Sequence, residues 1–266
     1  MRPVPTSELL RVARTLATQS GELLLSLVNT DLERSRKQAF DDIVTKADTA
    51  SEQLIRSGLA DAFPEHGFWG EETGQAQLDA AYRWVVDPLD GTANYASGLP
   101  LYTVSIGCVF QGEPLVGVVY APAQAEMFWA VRGEGAWLGE RRLWARPALT
   151  LDAALLMTGY SLASLAGERN LEAMRQLDAC CLGVRRLGCA SIGCTYVAAG
   201  RLGGWWSRGP KPWDVAAGLL LARESGAVAT DFTGAPASVE GGDYLICTPE
   251  IHMALLEILQ PIYASA

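Results

Sequence analysis

Histidine is scarce in this chain: among 266 residues only His66 and His252 carry an imidazole. No His-Glu-x-x-His zinc site can be built from them, and no Gly-x-Ser-x-Gly turn offers a serine to a base. His66 follows Pro64 in a loop-like stretch and His252 falls in a final helical segment, so neither is expected to be catalytic. Paired cysteines are missing too. Cys108, Cys180, Cys181, Cys189, Cys194 and Cys247 contain no C-x-x-C and no framework spacing, which reads as reduced core thiols of a cytoplasmic protein. Long apolar runs are absent: nothing approaches the ~18–20 residues of a membrane span. From Met1 to Asp31, Arg11, Arg14 and Glu22 break up the apolar positions, so no signal-peptide layout is read there and no membrane partner is expected. Positive charge is in deficit, with 21 basic against 30 acidic residues and a net charge of −9. Such a surface gains nothing from a polyanion, so no nucleic-acid partner is expected. A small anion remains possible if cations supply the charge.

What is present is ample core material, 49% hydrophobic residues and no low-complexity linker. This predicts one domain over residues 1–266, with lobes of roughly 1–145 and 146–266. Helical spacing runs from Ser7 to Val28. A polar connection with Arg34, Arg36 and Lys37 follows, then a second helix with Ala50, Leu54, Gly58, Ala62 and Phe63 on one face and Asp48 at its N-cap. Tyr102–Phe110, Glu113–Tyr120 and Glu126–Val131 read as an antiparallel meander. Beyond Leu151, strands (154–158, 184–187, 228–230, 244–247) alternate with helices (168–179, 190–199, 212–224), and Pro249 opens a last helix ending near Pro261. The mixture is α/β (α+β).

The stretch that organises the chain is Trp84-Val85-Val86-Asp87-Pro88-Leu89-Asp90-Gly91-Thr92. A buried strand ends in two carboxylates, because Pro88 removes an N–H and biases Asp87 to extended geometry. Gly91 lets backbone approach a ligand, and Thr92 suits a helix N-cap. Strand ends that lead into helices are where α/β proteins place ligands. Asp-Pro and Asp-Gly are also common turn formers, so a solvated turn is the competing explanation. The spacing is one residue longer than the Asp-x-Asp-x-Thr loop of haloacid-dehalogenase phosphatases. Two more acidic stations stand out. In Gly70-Glu71-Glu72 only one glutamate of an extended pair can face a given site. In Lys211-Pro212-Trp213-Asp214, Asp214 suits a helix's first turn, and Ala216, Ala217 and Gly218 permit close packing.

In order and spacing, Gly70-Glu71-Glu72, Asp87 to Tyr95, Trp213 to Gly218 and Asp42 to Asp48 resemble the inositol monophosphatase family of Mg2+-dependent, lithium-sensitive phosphatases. The resemblance implies a layered αβαβα sandwich of the sugar-phosphatase type, a homodimer and a small phosphorylated substrate. It implies that Glu71, Asp87 and the Leu89 carbonyl hold one Mg2+, that Asp87, Asp90 and Asp214 hold a second, and that Glu71 helps with a weaker third. Thr92, oriented by Asp48, would polarise the attacking water, with the Gly91 and Thr92 amides on phosphate oxygens. Gly188, Cys189, Ala190, Ser207 and Asp90 would face the substrate. Cys189 and Ser191 stand at variable places of the family's segment, and Ser207 stands where inositol-selective members carry a glutamate. The implied activity is hydrolysis of inositol monophosphate or a similar polyol phosphate. Alternatives are histidinol-phosphate, fructose-bisphosphate or adenosine-bisphosphate phosphatase, or a catalytically weak regulatory protein on the same scaffold.

Overall fold

The computed structural model describes residues 4–28, 30, 32–33, 35–36, 43–145, 150–159 and 165–264. Asp42, Arg34 and Lys37 of the sequence reading lie outside them. The first part of the chain forms α1 (Thr6–Leu27), the short pair β1 (Ser35–Arg36) and β2 (Ile43–Val44), and α2 (Lys46–Ala62). Then come β3 (Gly67–Gly70), β4 (Gly74–Ala76), β5 (Tyr82–Asp90), α3 (Thr92–Ala96), β6 (Thr103–Phe110), β7 (Glu113–Ala121), β8 (Glu126–Val131), β9 (Gly135–Leu138) and β10 (Arg141–Arg142). The later part supplies β11 (Leu155–Gly159), α4 (Leu165–Asp178), β12 (Gly183–Arg185), α5 (Ala190–Ala198), β13 (Gly204–Arg208), α6 (Pro212–Glu224), β14 (Val228–Thr230), β15 (Asp243–Cys247) and α7 (Pro249–Ala264).

Besides the β1-β2 pair, two large sheets form among the described residues, an eight-stranded one in the order β10-β9-β8-β7-β6-β5-β3-β4 and a five-stranded one in the order β12-β11-β13-β15-β14. Period-2 alternation tells their faces apart. Trp84 and Val86 of β5 pack with Leu9, Leu16 and Ile55 of α1 and α2, whereas Val85 packs with Val215 and Leu219 of α6. On β13, Trp205 turns to the same interior as Val85, and Trp206 turns to Leu177, Ile251 and Leu255 of α4 and α7. The layers are therefore helix, sheet, helix, sheet, helix, as expected. Burying such a residue stabilises by ~1.5–3 kcal/mol, so these alternating runs fix the stacking.

The middle helix layer is tight because side chains are missing where it meets the sheet. A Cβ at Gly117 would stand 2.8 Å from the Ala217 carbonyl oxygen, and one at Gly107 would stand 2.9 Å from the Ala216 Cβ. The small residues of α6 do permit the close approach read from the sequence.

Four local expectations need correction. The N-cap of α2 is Thr45; Asp48 is its third residue, whose Oδ2 accepts from the Thr45 amide (2.8 Å) and hydroxyl (2.7 Å). The buried face of α2 is Ala47, Asp48, Ser51, Glu52, Ile55 and Leu59, not the Ala50-Leu54-Gly58 stripe, because three of the buried residues are polar. β5 continues to Asp90, although its ladder with β6 is irregular between Asp87 and Asp90, where Pro88 has no N–H to give. α7 passes through Pro261 to Ala264. β13 has no counterpart in the sequence pattern, because two tryptophans between glycines are too short a run to register as a strand.

Candidate active site

Asp87 is buried near the end of β5, where its Oδ1 accepts the Leu89 amide at 3.0 Å. Its carboxyl is held well above the usual carboxylate range, first by burial and then by the negative charges of Glu71, Asp90 and Asp214. Asp87 and Asp214 each feel the other three acids, although the four come from β5, the turn after β3 and the start of α6. Glu71 and Glu72 lie in that turn rather than on a strand. It is Glu71 that acts on Asp87, while the Glu72 amide is bound to Glu52.

Asp90 closes the start of α5. Its Oδ2 accepts from the Ser191 amide and hydroxyl, both at 2.6 Å, and its Oδ1 accepts from the Ala190 amide at 3.1 Å. The Cys189 thiol donates to it from 3.2 Å, and Thr103 Oγ1 lies 2.5 Å from Ser191 Oγ. Helix-start amides favour an anion. Burial nevertheless wins and the Asp90 carboxyl is raised, against the opposing bonds from Ser191 and Cys189. Asp214, third residue of α6, accepts the Lys211 amide at 2.7 Å. Burial, then Asp90 and Glu71, push it up to about 8.

Gly91 turns the chain out of β5 with φ +93°, and a Cβ there would meet the Leu101 carbonyl oxygen at 2.8 Å. Gly91, not Thr92, is the N-cap of α3, because only it adopts the left-handed turn. The Thr92 hydroxyl is left to bond within the site, 2.8 Å from Asp48 Oδ1 and 3.0 Å from the Leu89 carbonyl oxygen. Asn94 ties this turn to the loop before α5, donating to the carbonyls of Leu101 (2.8 Å) and Leu187 (2.7 Å).

The donor set suits a hard cation: carboxylates and a backbone carbonyl, with no sulfur or imidazole ligand among them. No ion pair among the described residues neutralises Asp87, Asp90 or Asp214. The mutual charge of these acids can be balanced by protons or by metal ions. Among the described residues no three acidic, histidine or cysteine groups already stand in ligating geometry; Asp87, Asp90 and Asp214 hold N–H donors instead. The family model for inositol monophosphatases matches residues 6–263.

The chain belongs to the inositol monophosphatase family. Among its family relatives, "Nus factor SuhB" of Pseudomonas aeruginosa is 38% identical over 95% of this chain and 96% of its own. "Inositol-1-monophosphatase" of Rhizobium meliloti is 40% identical over 82% of this chain and 83% of its own. A solved structure described as "IMPase/NADP phosphatase complexed with Mg2+ and phosphate" superposes with a TM-score of 0.85 at 26% identity, covering 96% of this chain and 95% of that one.

In this inositol monophosphatase relative a cavity of about 500 Å3 opens beside Asp90 and Asp214. Gly188, Cys189, Ala190 and Ser207 all line it, as do Arg186 and Arg208. Cys189 is buried, its thiol raised well above its ordinary range by burial first and then by Asp90. Ser207 gives its proton to the Gly159 carbonyl at 2.9 Å. Arg208 is taken by Asp243 through two bonds of 2.8 and 2.9 Å.

Neither histidine enters the site. His66 Nδ1 accepts the Trp84 indole N–H at 3.1 Å between the rings of Phe63 and Tyr82, and His252 bonds Thr230. The sequence reading missed Ser51, Glu52, Thr103 and the role of Ser191. Ser51 and Glu52 lie three and four residues after Asp48, one helical turn along the same face, and that spacing was the available signal.

Proposed function

We propose that the protein is a Mg2+-dependent phosphomonoesterase acting on an inositol monophosphate or a similar polyol phosphate. The observation that carries this reading is the convergence of Glu71, the Asp87–Asp90 pair and Asp214, from three distant parts of the sequence, on one place beside a cavity, with Asp87 and Asp90 buried and Glu71 and Asp214 half-buried. Glu71, Asp87 and the Leu89 carbonyl would hold one ion, Asp87, Asp90 and Asp214 a second, and Glu71 part of a third. The Rhizobium relative's name and the Mg2+ and phosphate in the solved neighbour support the reading.

An ion held by these residues would supply Lewis acidity, lowering the pKa of a water and offsetting charge on the departing oxygen. The protein's own groups do the rest. Asp48 is fixed at Oδ2 by Thr45, so its Oδ1 stays aimed at Thr92. With its proton directed to Asp48, the Thr92 hydroxyl can accept a hydrogen bond from water and orient it as nucleophile. The Gly91 and Thr92 amides are the groups proposed for the phosphate oxygens. The alcohol leaves into the cavity, where Asp90, Gly188, Cys189, Ala190 and Ser207 face it. We also expect a homodimer in the cytoplasm, to be checked by light scattering and fractionation.

Phosphate release should require Mg2+ and fall with millimolar Li+. A screen over phosphorylated polyols, sugars, histidinol phosphate and adenosine bisphosphate then ranks substrates. Dominant activity on histidinol phosphate would replace the substrate named here, and no Mg2+-dependent release from any of them would sink the enzyme reading. In Ser207→Glu the new carboxylate reaches into the cavity and gains a charged hydrogen bond to a ring hydroxyl, worth ~1.5–3 kcal/mol. Preference for inositol phosphate over the other substrates should rise ~10- to 100-fold in kcat/KM. An unchanged ranking would mean that residue 207 does not read the substrate.

A second reading, a regulatory role on the same scaffold, draws on the name of the Pseudomonas relative. Hydrolysis lost on changing one of the four acids would favour the enzyme.

A further inference from the structure

Glu52 is fully buried on α2, and both its oxygens are used by one turn of the chain. Oε2 accepts the Glu72 amide at 2.8 Å and Oε1 accepts the Thr73 amide at 2.6 Å. That turn carries Glu71, whose own amide bonds the Val86 carbonyl of β5 at 3.3 Å. The glutamate is therefore strung between α2 and the strand that bears Asp87.

Space is reserved for this arrangement. A Cβ at Gly70 would lie 2.6 Å from Glu52 Oε2, so the residue before Glu71 must be glycine for the carboxyl to reach the turn. The neighbours of Glu52 on the same face act alike. Ser51 donates to the Pro88 carbonyl at 2.8 Å, and Asp48 receives the Thr92 hydroxyl. One helix face thus grips the Glu71 turn, the Asp87–Asp90 bend and the start of α3.

We infer that Glu52 is a positioning residue that sets Glu71 against Asp87 and so controls how tightly the cation is held. The inference rests on the metal reading of the site. A purely structural Glu52 would affect folding stability alone. A metal-positioning Glu52 also changes the affinity for Mg2+ with no substrate present.

The test is Mg2+ titration of the substrate-free protein by calorimetry, paired with melting curves. Glu52→Gln keeps the shape, but its amide N–H₂ now meets a backbone N–H. Mg2+ should bind about 10- to 100-fold more weakly, the usual loss when a residue behind a metal ligand is changed. Ile55→Val, a fully buried change one turn further along α2, should lower the melting temperature and leave the Mg2+ dissociation constant as it was. If Glu52→Gln binds Mg2+ within twofold of the unaltered protein, Glu52 is structural and the inference is wrong. If the unaltered protein itself binds no Mg2+, the metal reading fails and takes the inference with it. Should the glutamine variant not fold, Glu52→Asp decides on the same scale: weakened binding upholds the inference and undiminished binding overturns it.

Discussion

Asp87→Asn is expected to lower phosphate release more than ~100-fold, beyond the loss from altering a residue behind a metal ligand, and yet to raise the melting temperature of the metal-free protein. The two effects share a cause. Asp87 is buried, its carboxyl is raised well above its ordinary value, and Glu71, Asp90 and Asp214 all repel its charge. An asparagine keeps the bond from the Leu89 amide through its carbonyl oxygen and removes one repelling charge. Each kcal/mol of relief is worth ~2–4 °C in a chain of this size. With Mg2+ present the order reverses, because the variant has lost a ligand shared by both proposed ions. Asp87 is a cleaner test than Asp90, whose two oxygens both hold donors at the start of α5. Near-normal turnover, or a metal-free variant that melts several degrees lower, would contradict the account.

The second expectation concerns pH in the absence of metal. Asp214 goes from an ordinary value of 3.8 to about 8 on folding, and Asp87, Asp90 and Asp48 are also raised. The folded state then binds more protons than the unfolded one between those limits, so stability falls as pH rises through that window. In EDTA the melting temperature should drop steadily from about pH 5 to pH 8. Saturating Mg2+ should reverse the trend, since the ion competes with protons for the same oxygens. At a hundred times its dissociation constant the ion adds ~2.7 kcal/mol, on the order of 5–10 °C here. A metal-free protein that grows more stable from pH 5 to 8 would show that these acids are not buried together.

Much of the site was legible because its signals are local. Gly91 and Pro212 act on their own backbone, and they place Asp90 at the end of β5 and Asp214 in the first turn of α6 whatever the rest of the chain does. The αβαβα stacking was legible as family resemblance, and its helices and strands fall near the positions read for them. Glu52 was hidden by a pattern rule that looks for apolar stripes: Ala50, Leu54 and Gly58 spelled one, while the true buried face of α2 is half polar. The bonds of Ser191 to Asp90 were hidden by distance, since they span 101 residues; the resemblance put its neighbours Cys189 and Ala190 at the site but carried no sign that Ser191 holds Asp90. β13 combines both problems, a short aromatic pair whose burial depends on sheet partners far away in the chain.

The position of α6 between the sheets also orders events during synthesis. Its backbone sits against Gly107 and Gly117 of one sheet, while its side chains pack with Trp205 and Ile246 of the other. A nascent chain that has released Glu71, Asp87 and Asp90 still lacks both the fourth acid and the second sheet that seats it. On the proposed metal reading, ion capture would be a terminal step of maturation, gated by residues that leave the ribosome more than a hundred positions after Glu71.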